Sequence, residues 1–180
     1  VGLPAVLGLD DPRAWRDLVD KLGHPVFEIP VQPPSVPGMR LNASLTRLAS
    51  AKARVVLGSP LKALHTADGR VQAVEYASAG RATRVETRAV ILAAGGFESG
   101  ALEMDSYGVV RDTVCGLPVM GPTGQLLHAD FWGEEQPLFL AGLAVDDSMR
   151  VVDENGKAVY TNLFAAGGNL AGATRWREKS

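Results

Sequence analysis

Two stretches of this chain have the residue pattern of a ligand-facing strand end. One is Val90-Ile91-Leu92-Ala93-Ala94-Gly95-Gly96 and the other is Leu163-Phe164-Ala165-Ala166-Gly167-Gly168. Each is an apolar strand running into two small residues and a glycine pair. Open α/β sheets bind ligands beyond the carboxyl ends of their strands. Small residues there let backbone approach a large flat molecule, and glycine permits turns closed to other residues. For either stretch alone, a glycine pair that merely ends a strand is the simpler reading. Two such ends in one chain, each fed by a hairpin, favour the ligand-facing one.

Other reactive groups are sparse. Arg40 lies between a proline-rich loop and a helix, where a guanidinium can bind a phosphate or carboxylate in bidentate fashion. The alternative, a structural arginine that satisfies loop carbonyls, stays open. His24, His65 and His128 lack metal-ligand spacing, so no metal site is expected. His65 is expected at the surface. His128 is the histidine best placed to carry a proton. Cys115 is the single cysteine, so no intramolecular disulfide can form, and its apolar setting predicts a buried thiol rather than a reactive one. Asp146-Asp147 and Asp153-Glu154 read as solvated turn residues.

The elements that must position these groups follow from pattern. Asp11-Pro12 reads as a helix start, Trp15, Leu18, Val19 and Leu22 recur at helical spacing with Trp15 expected in the core, and Gly23 can close the turn. Four prolines within residues 30–38 predict a stiff irregular loop. Leu41, Leu45 and Leu48 then predict a second helix. Arg54 to Leu57 is β-prone. Leu61 to Thr66, Arg70 to Tyr76 and Arg81 to Thr87 read as an antiparallel meander, turned at Asp68-Gly69 and Ala79-Gly80. Ala89 to Ala94 is apolar on both faces, as a strand buried on both sides should be. Residues 98–140 read as irregular, with one short helix from Gln125 to Phe131. Leu143 to Val145 and Met149 to Val152 flank a turn at Asp147-Ser148. Asn155-Gly156 predicts a hairpin turn, and Asn162 to Ala166 a second buried strand.

Composition narrows the function class. The chain has 180 residues, 46% hydrophobic and 21% charged, which suits a folded globular protein and not a disordered one. A net charge of -2 leaves no electrostatic footprint for nucleic acid. No apolar run reaches the roughly 18 residues of a membrane span, and no basic segment with a following apolar stretch suggests a secretory signal. One cysteine fits a reducing compartment. The chain opens on Val1 and stops at Ser180, and both ends read as cut from a longer polypeptide.

The order of these elements carries a resemblance. A hairpin, then Ala89-Val90-Ile91-Leu92-Ala93-Ala94-Gly95-Gly96-Phe97, then Gly142-Leu143-Ala144-Val145-Asp146, then Asn162 to Gly168, resembles two-dinucleotide-binding-fold flavoproteins of the succinate dehydrogenase and fumarate reductase type. Two stretches sharpen it: Glu28-Ile29-Pro30 with Pro33-Pro34-Ser35-Val36-Pro37-Gly38-Met39-Arg40-Leu41, and Gly95-Gly96-Phe97-Glu98-Ser99-Gly100-Ala101-Leu102. Both are similar to the B subunit of anaerobic glycerol-3-phosphate dehydrogenase, and the likeness runs from about Pro4 onward. It implies an α+β chain that is part of an α/β flavoprotein, with antiparallel meanders, two buried strands and short helices. It also implies four segments: a helical cap over residues 1–52, a meander and flavin-domain strand over 53–97, an irregular cap segment over 98–142, and a hairpin with a second flavin-domain strand over 143–180.

The family resemblance also implies chemistry. Such a subunit is a flavoprotein, carrying FAD or FMN, that works with a catalytic A subunit and an iron–sulfur, membrane-anchoring C subunit. The complex oxidises sn-glycerol 3-phosphate to dihydroxyacetone phosphate and passes electrons towards quinone, from the cytoplasmic side of the membrane. Carried onto this sequence, the flavin-contacting candidates are Leu61, Ala93, Ala94, Gly95, Gly96, Gly167, Gly168 and Asn169, with Arg40 as the catalytic candidate. The family's Gly-x-Gly-x-x-Gly pyrophosphate turn follows no strand here, and Gly95 to Gly100 has its glycines at the wrong spacing. The expectation is therefore the C-terminal half of such a subunit, trimmed before its last helix, unable to hold flavin alone and prone to dimerise through unpaired strands. A fumarate-reductase-like or ketosteroid-dehydrogenase-like enzyme and a non-catalytic docking module remain alternatives.

Overall fold

The computed structural model describes residues 1–32, 34–130 and 132–173, and it divides into two units, Val1–Leu57 and Gly58–Ser180. In the first unit, strand β1 (Gly2–Pro4), helix α1 (Ala14–Leu22) and strand β2 (Phe27–Ile29) form a parallel strand–helix–strand crossover, with Leu3 opposite Glu28. Helix α2 (Val36–Ser50) follows.

Helix α1 starts later than Asp11-Pro12 predicts. The Asp11 carboxylate accepts from the Arg13 N–H at 2.9 Å and its carbonyl from the Ala14 N–H at 3.1 Å, a local turn that delays the helix. Gly23 closes it as expected, at φ +63°, donating to the Val19 carbonyl. Trp15 is not core: it is 41% exposed, and its Nε1 donates to the Val26 carbonyl at 2.9 Å, clipping α1 to the start of β2. Helix α2 begins inside the proline-rich stretch expected to be irregular. Ser35 Oγ accepts from the Gly38 N–H at 3.3 Å, and Pro37 sits in the first turn, where no intrahelical N–H is required. Leu41, Leu45 and Leu48 share a face, which is exposed. Arg54 to Leu57 forms no strand and is exposed; β-branched residues there find no pairing partner.

The second unit opens with the meander that alternation predicts: β3 (Leu61–Ala67), β4 (Arg70–Ser78) and β5 (Arg81–Glu86), antiparallel in that order. Its turns have positive φ at both central residues, +51° and +67° at Asp68-Gly69 and +48° and +76° at Ala79-Gly80. Turns of that hand match the twist of the strands they join. Strand β6 (Val90–Leu92) follows, then an antiparallel pair, β7 (Leu102–Met104) and β8 (Val110–Asp112), within the segment expected to be irregular. The helix expected over Gln125 to Phe131 does not form over 125–130, and Phe131 lies outside the described residues. Instead Gln136, buried, accepts from the His128 N–H and donates to the Asp130 carbonyl, fixing a loop that ends in a 3₁₀ turn at Pro137–Leu140.

Strand β9 (Leu163–Ala165) completes the unit and pairs in parallel with β6, Val90 opposite Leu163 and Leu92 opposite Ala165. The two glycine-ended strands, expected to lack partners, are thus each other's partner. Strand β6 is not covered on both faces, since Ile91 is 71% exposed. The main core gathers Val71, Leu92, Leu117, Leu143, Val151, Leu163 and Ala165. Burying each large side chain among them contributes about 1.5–3 kcal/mol. The Asp153 to Lys157 hairpin turn forms as Asn155-Gly156 predicts, with the Asp153 carboxylate accepting from the Asn155 and Lys157 N–H groups.

Candidate functional site

Parallel pairing puts both strand ends on the same edge. Strands β6 and β9 run in register, so Ala93 to Gly96 and Ala166 to Gly168 leave the sheet side by side. The Ala166 N–H donates to the Leu92 carbonyl at 3.0 Å, extending the pairing one residue past the strands. Gly95 turns at φ +83° and Gly167 at +80°, conformations that favour glycine. A Cβ on Gly168 would stand 3.4 Å from the Gly96 nitrogen and 3.6 Å from the Gly95 Cα. The two turns therefore lie side by side, and a Cβ at position 168 would be in van der Waals contact with the backbone of the first turn.

Side chains behind the turns hold them. Ser99 Oγ bridges the carbonyls of Ala94 and Gly96 at 2.8 and 3.0 Å, and a Cβ on Gly95 would strike that hydroxyl. Asn169 is 2% exposed, and its Nδ2 donates to the Leu92 carbonyl at 3.0 Å. Its own carbonyl accepts from the Leu143 N–H at 2.7 Å, and the Ala171 N–H donates to the Leu143 carbonyl at 2.9 Å. Gly142 makes that approach possible: a Cβ there would lie 2.6 Å from the Ala171 nitrogen and the Asn169 oxygen. The result is a shelf of backbone and small residues at the carboxyl edge of two parallel strands. Its turn residues, Ala93 to Gly96 and Ala166 to Asn169, include no titratable side chain. Such a shelf can seat and orient a flat cofactor but cannot itself move protons.

The remaining predicted residues fall elsewhere. Leu61 opens β3 opposite Tyr76 and makes its strand pairing with β4. Arg40 is engaged within the first unit, donating to the Leu7 carbonyl at 3.0 Å and pairing with Glu28 at 3.4 Å. That geometry supports the structural reading of this arginine. His65 is half-buried and sits 2.8 Å from Glu75 across the meander. His128 lies on a loop rather than a helix, with Glu134 at 3.8 Å. Cys115 packs against the main core, and burial, with the Asp112 carboxylate adding, pushes its thiol up to about 12. Asp146 is more than a solvated turn residue. Its carboxylate accepts from the Arg150 and Ser148 N–H groups and pairs with the Arg150 guanidinium at 2.7 Å, and these bonds hold it below the usual carboxylate range.

Three positioning residues escaped the sequence reading. The buried Asp112 carboxylate collects the N–H groups of Val114, Cys115 and Leu117. Asn162 joins the meander to β9, accepting from the Val71 N–H and donating to the carbonyls of Val71 and Arg88, all at 2.9 Å. Gly142 admits the 169–171 segment. The partners of Asn162 and of Gly142 lie far along the chain, so local pattern carries no signal for either.

Comparison with known proteins concerns the chain as a whole. Over residues 1–180 the chain matches a family described as FAD binding domain. A protein of Halobacterium salinarum, named as the probable B subunit of anaerobic glycerol-3-phosphate dehydrogenase, is 35% identical over 175 residues, covering 96% of this chain and 41% of that protein. A Pectobacterium atrosepticum protein, named as the B subunit of the same dehydrogenase, is 28% identical over 177 residues, covering 94% of this chain and 40% of its own length. The chain thus spans about two fifths of the curated relatives it matches. No solved structure matches it significantly.

Proposed function

This chain belongs to the FAD binding domain family, and from that premise we propose that it is part of a flavin-dependent glycerol-3-phosphate dehydrogenase subunit. One observation carries the reading: two glycine turns lie side by side at the carboxyl edge of parallel strands β6 and β9, leaving a side-chain-free shelf. That is the place and the surface an open α/β sheet offers a flat ligand. The substrate class comes from the names of the relatives and not from the shelf.

The proposed flavin side comprises Leu61, Ala93, Ala94, Gly95, Gly96, Gly167, Gly168 and Asn169. FAD is favoured over FMN by the family description. When bound, the flavin supplies two-electron chemistry, taking electrons from the alcohol carbon and releasing them to an acceptor. The chain's own residues bind and orient. Glycines at 95, 96, 167 and 168 permit close approach, Ser99 braces the first turn and Asn169 braces the second. Arg40 is assigned to bracing the first unit, because its Nη1 and Nη2 are already engaged.

The relatives are named as one subunit of a dehydrogenase, which supports a multi-subunit complex. We assign its companions to a catalytic subunit and an iron–sulfur subunit that carries the assembly to the inner face of the membrane. Among the described residues no helix is long and apolar enough to cross a membrane, so attachment is proposed to run through partners. The exposed leucine face of α2 and the exposed Ile91 support docking against further polypeptide, a partner subunit or a second copy.

The test is to purify the natural polypeptide containing this chain and record its spectrum. A flavin band at about 450 nm is expected, bleached on anaerobic addition of sn-glycerol 3-phosphate once the catalytic companion subunit is also present. A folded, colourless protein overturns the flavin reading. A yellow protein that ignores glycerol 3-phosphate and is reoxidised by fumarate moves it to the fumarate-reductase-like alternative.

A further inference from the structure

We infer a second binding site in the Gly58–Ser180 unit: a cavity on the meander that takes a small hydroxylated phosphomonoester, a polyol or sugar phosphate, through two guanidinium groups and one carboxylate. The inference stands apart from the flavin reading. The cavity, of about 590 Å³, is lined by Gln72, Arg84, Glu86, Thr87 and Arg88. That volume is ordinary for a small-molecule site.

Its place follows from the course of the chain. Arg84 and Glu86, two residues apart on β5, share a face of that strand. Thr87 and Arg88 lead from β5 towards β6, which starts at Val90. The cavity therefore lies at the amino end of β6, whereas the glycine turns leave its carboxyl end.

The backbone beneath the cavity is fixed. The Thr87 N–H donates to the Gln72 carbonyl at 2.9 Å, and Thr87 Oγ1 donates to the Ala89 carbonyl at 2.7 Å. The Arg88 carbonyl accepts from Asn162 Nδ2 at 2.9 Å and from Arg70 Nη2 at 3.3 Å. The charged heads are uncommitted. Among the described residues, the side chains of Arg84, Glu86 and Arg88 make no hydrogen bond or ion pair, and all three residues are exposed. Arg70, Arg111 and Arg150 of the same unit are instead anchored by the side chains of Thr161, Asp105 and Asp146.

Three uncommitted charges on an anchored backbone select a ligand by chemistry. Guanidinium forks grip phosphate oxygens in bidentate fashion, and two of them suit the charge of a phosphomonoester. A carboxylate can only accept, so Glu86 repels a bare oxyanion and receives a hydroxyl. Gln72 can donate or accept beside them. A polyol or sugar phosphate satisfies all of these groups. Orthophosphate brings the charge without the polyol hydroxyls, so it gains the arginines and leaves Glu86 opposed.

The experiment uses the natural polypeptide labelled with ¹⁵N-arginine. It is titrated at constant ionic strength with glucose 6-phosphate, orthophosphate, glucose and phosphatidylglycerol vesicles. Glucose 6-phosphate is expected to shift the Arg84 and Arg88 Nε–H signals saturably and to leave Arg111, exposed yet paired, in place. Orthophosphate is expected to bind about tenfold more weakly, and glucose to cause no shift. Glu86→Gln is expected to bring the two phosphates within about twofold of each other. The double variant Arg84→Gln/Arg88→Gln is expected to weaken glucose 6-phosphate binding, read by calorimetry, about tenfold or more. No saturable shift with glucose 6-phosphate overturns the inference, as do equal shifts at Arg111 or orthophosphate binding as tight as the sugar phosphate. A response to vesicles alone, which would make this a lipid-headgroup patch, overturns it too. Each of these failures leaves the flavin band of the same polypeptide, and the reading that rests on it, untouched.

Discussion

Cys115 shows how burial sets reactivity at a single residue. It packs against the core, and burial first, then the nearby Asp112 carboxylate, raises its thiol from an ordinary 9.0 to about 12. At neutral pH it stays protonated and is a poor nucleophile. Alkylation by iodoacetamide at pH 8 should be at least about tenfold slower in the folded protein than in urea; equal rates would contradict the burial. The linkage has a definite sign. Between the ordinary thiol value and about 12 the unfolded chain ionises while the folded one does not, so stability falls as pH rises through that window. Gly142 makes a second residue-scale case. Because a Cβ there would meet backbone rather than a flexible side-chain tip, the 169–171 segment must move to admit it. Gly142→Ala should cost about 3 kcal/mol, read as a lowered urea midpoint. A midpoint within error of the parent would mean the approach is looser than the structure has it.

At the scale of elements, Asn162 is the joint between the meander and the glycine-ended pair. Asn162→Ala strands the Val71 N–H and two carbonyls in a buried setting. Its expected cost is about 3 kcal/mol, measurable by denaturant unfolding; a loss under about 0.5 kcal/mol would show that water replaces the amide freely. The same elements explain what the sequence could reveal. The meander was legible because its strands alternate and its two-residue turns, Asp68-Gly69 and Ala79-Gly80, fix register locally. The glycine pairs were legible as strand ends, but their juxtaposition was not: β6 and β9 are three residues each, and more than seventy residues separate Leu92 from the Asn169 amide that pins it. Strands β1, β2, β7 and β8 are equally short and were missed for want of periodicity. Val55 and Val56 have strand propensity, yet residues 54–57 form no strand. The proline-rich stretch misled in the other direction, since Pro37 sits where a helix tolerates proline.

For the whole molecule, each of the two units leaves apolar surface uncovered. In the first, Leu41, Leu45 and Leu48 expose one face of α2; in the second, Ile91 projects from β6. Parallel strands are ordinarily covered on both faces, and the relatives are more than twice the length of this chain. Further polypeptide over these faces is the natural complement. The central claim does not depend on what that polypeptide is. It is that the junction of the two glycine turns is the surface against which a flavin lies. Flavin content of the purified natural polypeptide, compared between parent, Gly168→Val and Gly121→Val, tests this most directly. Position 168 has backbone at 3.4 Å from an added Cβ, whereas position 121 has nothing within 4 Å. The account predicts that Gly168→Val loses flavin by about tenfold or more while remaining folded, and that Gly121→Val keeps the parent's content. A folded Gly168→Val protein with full flavin would contradict it.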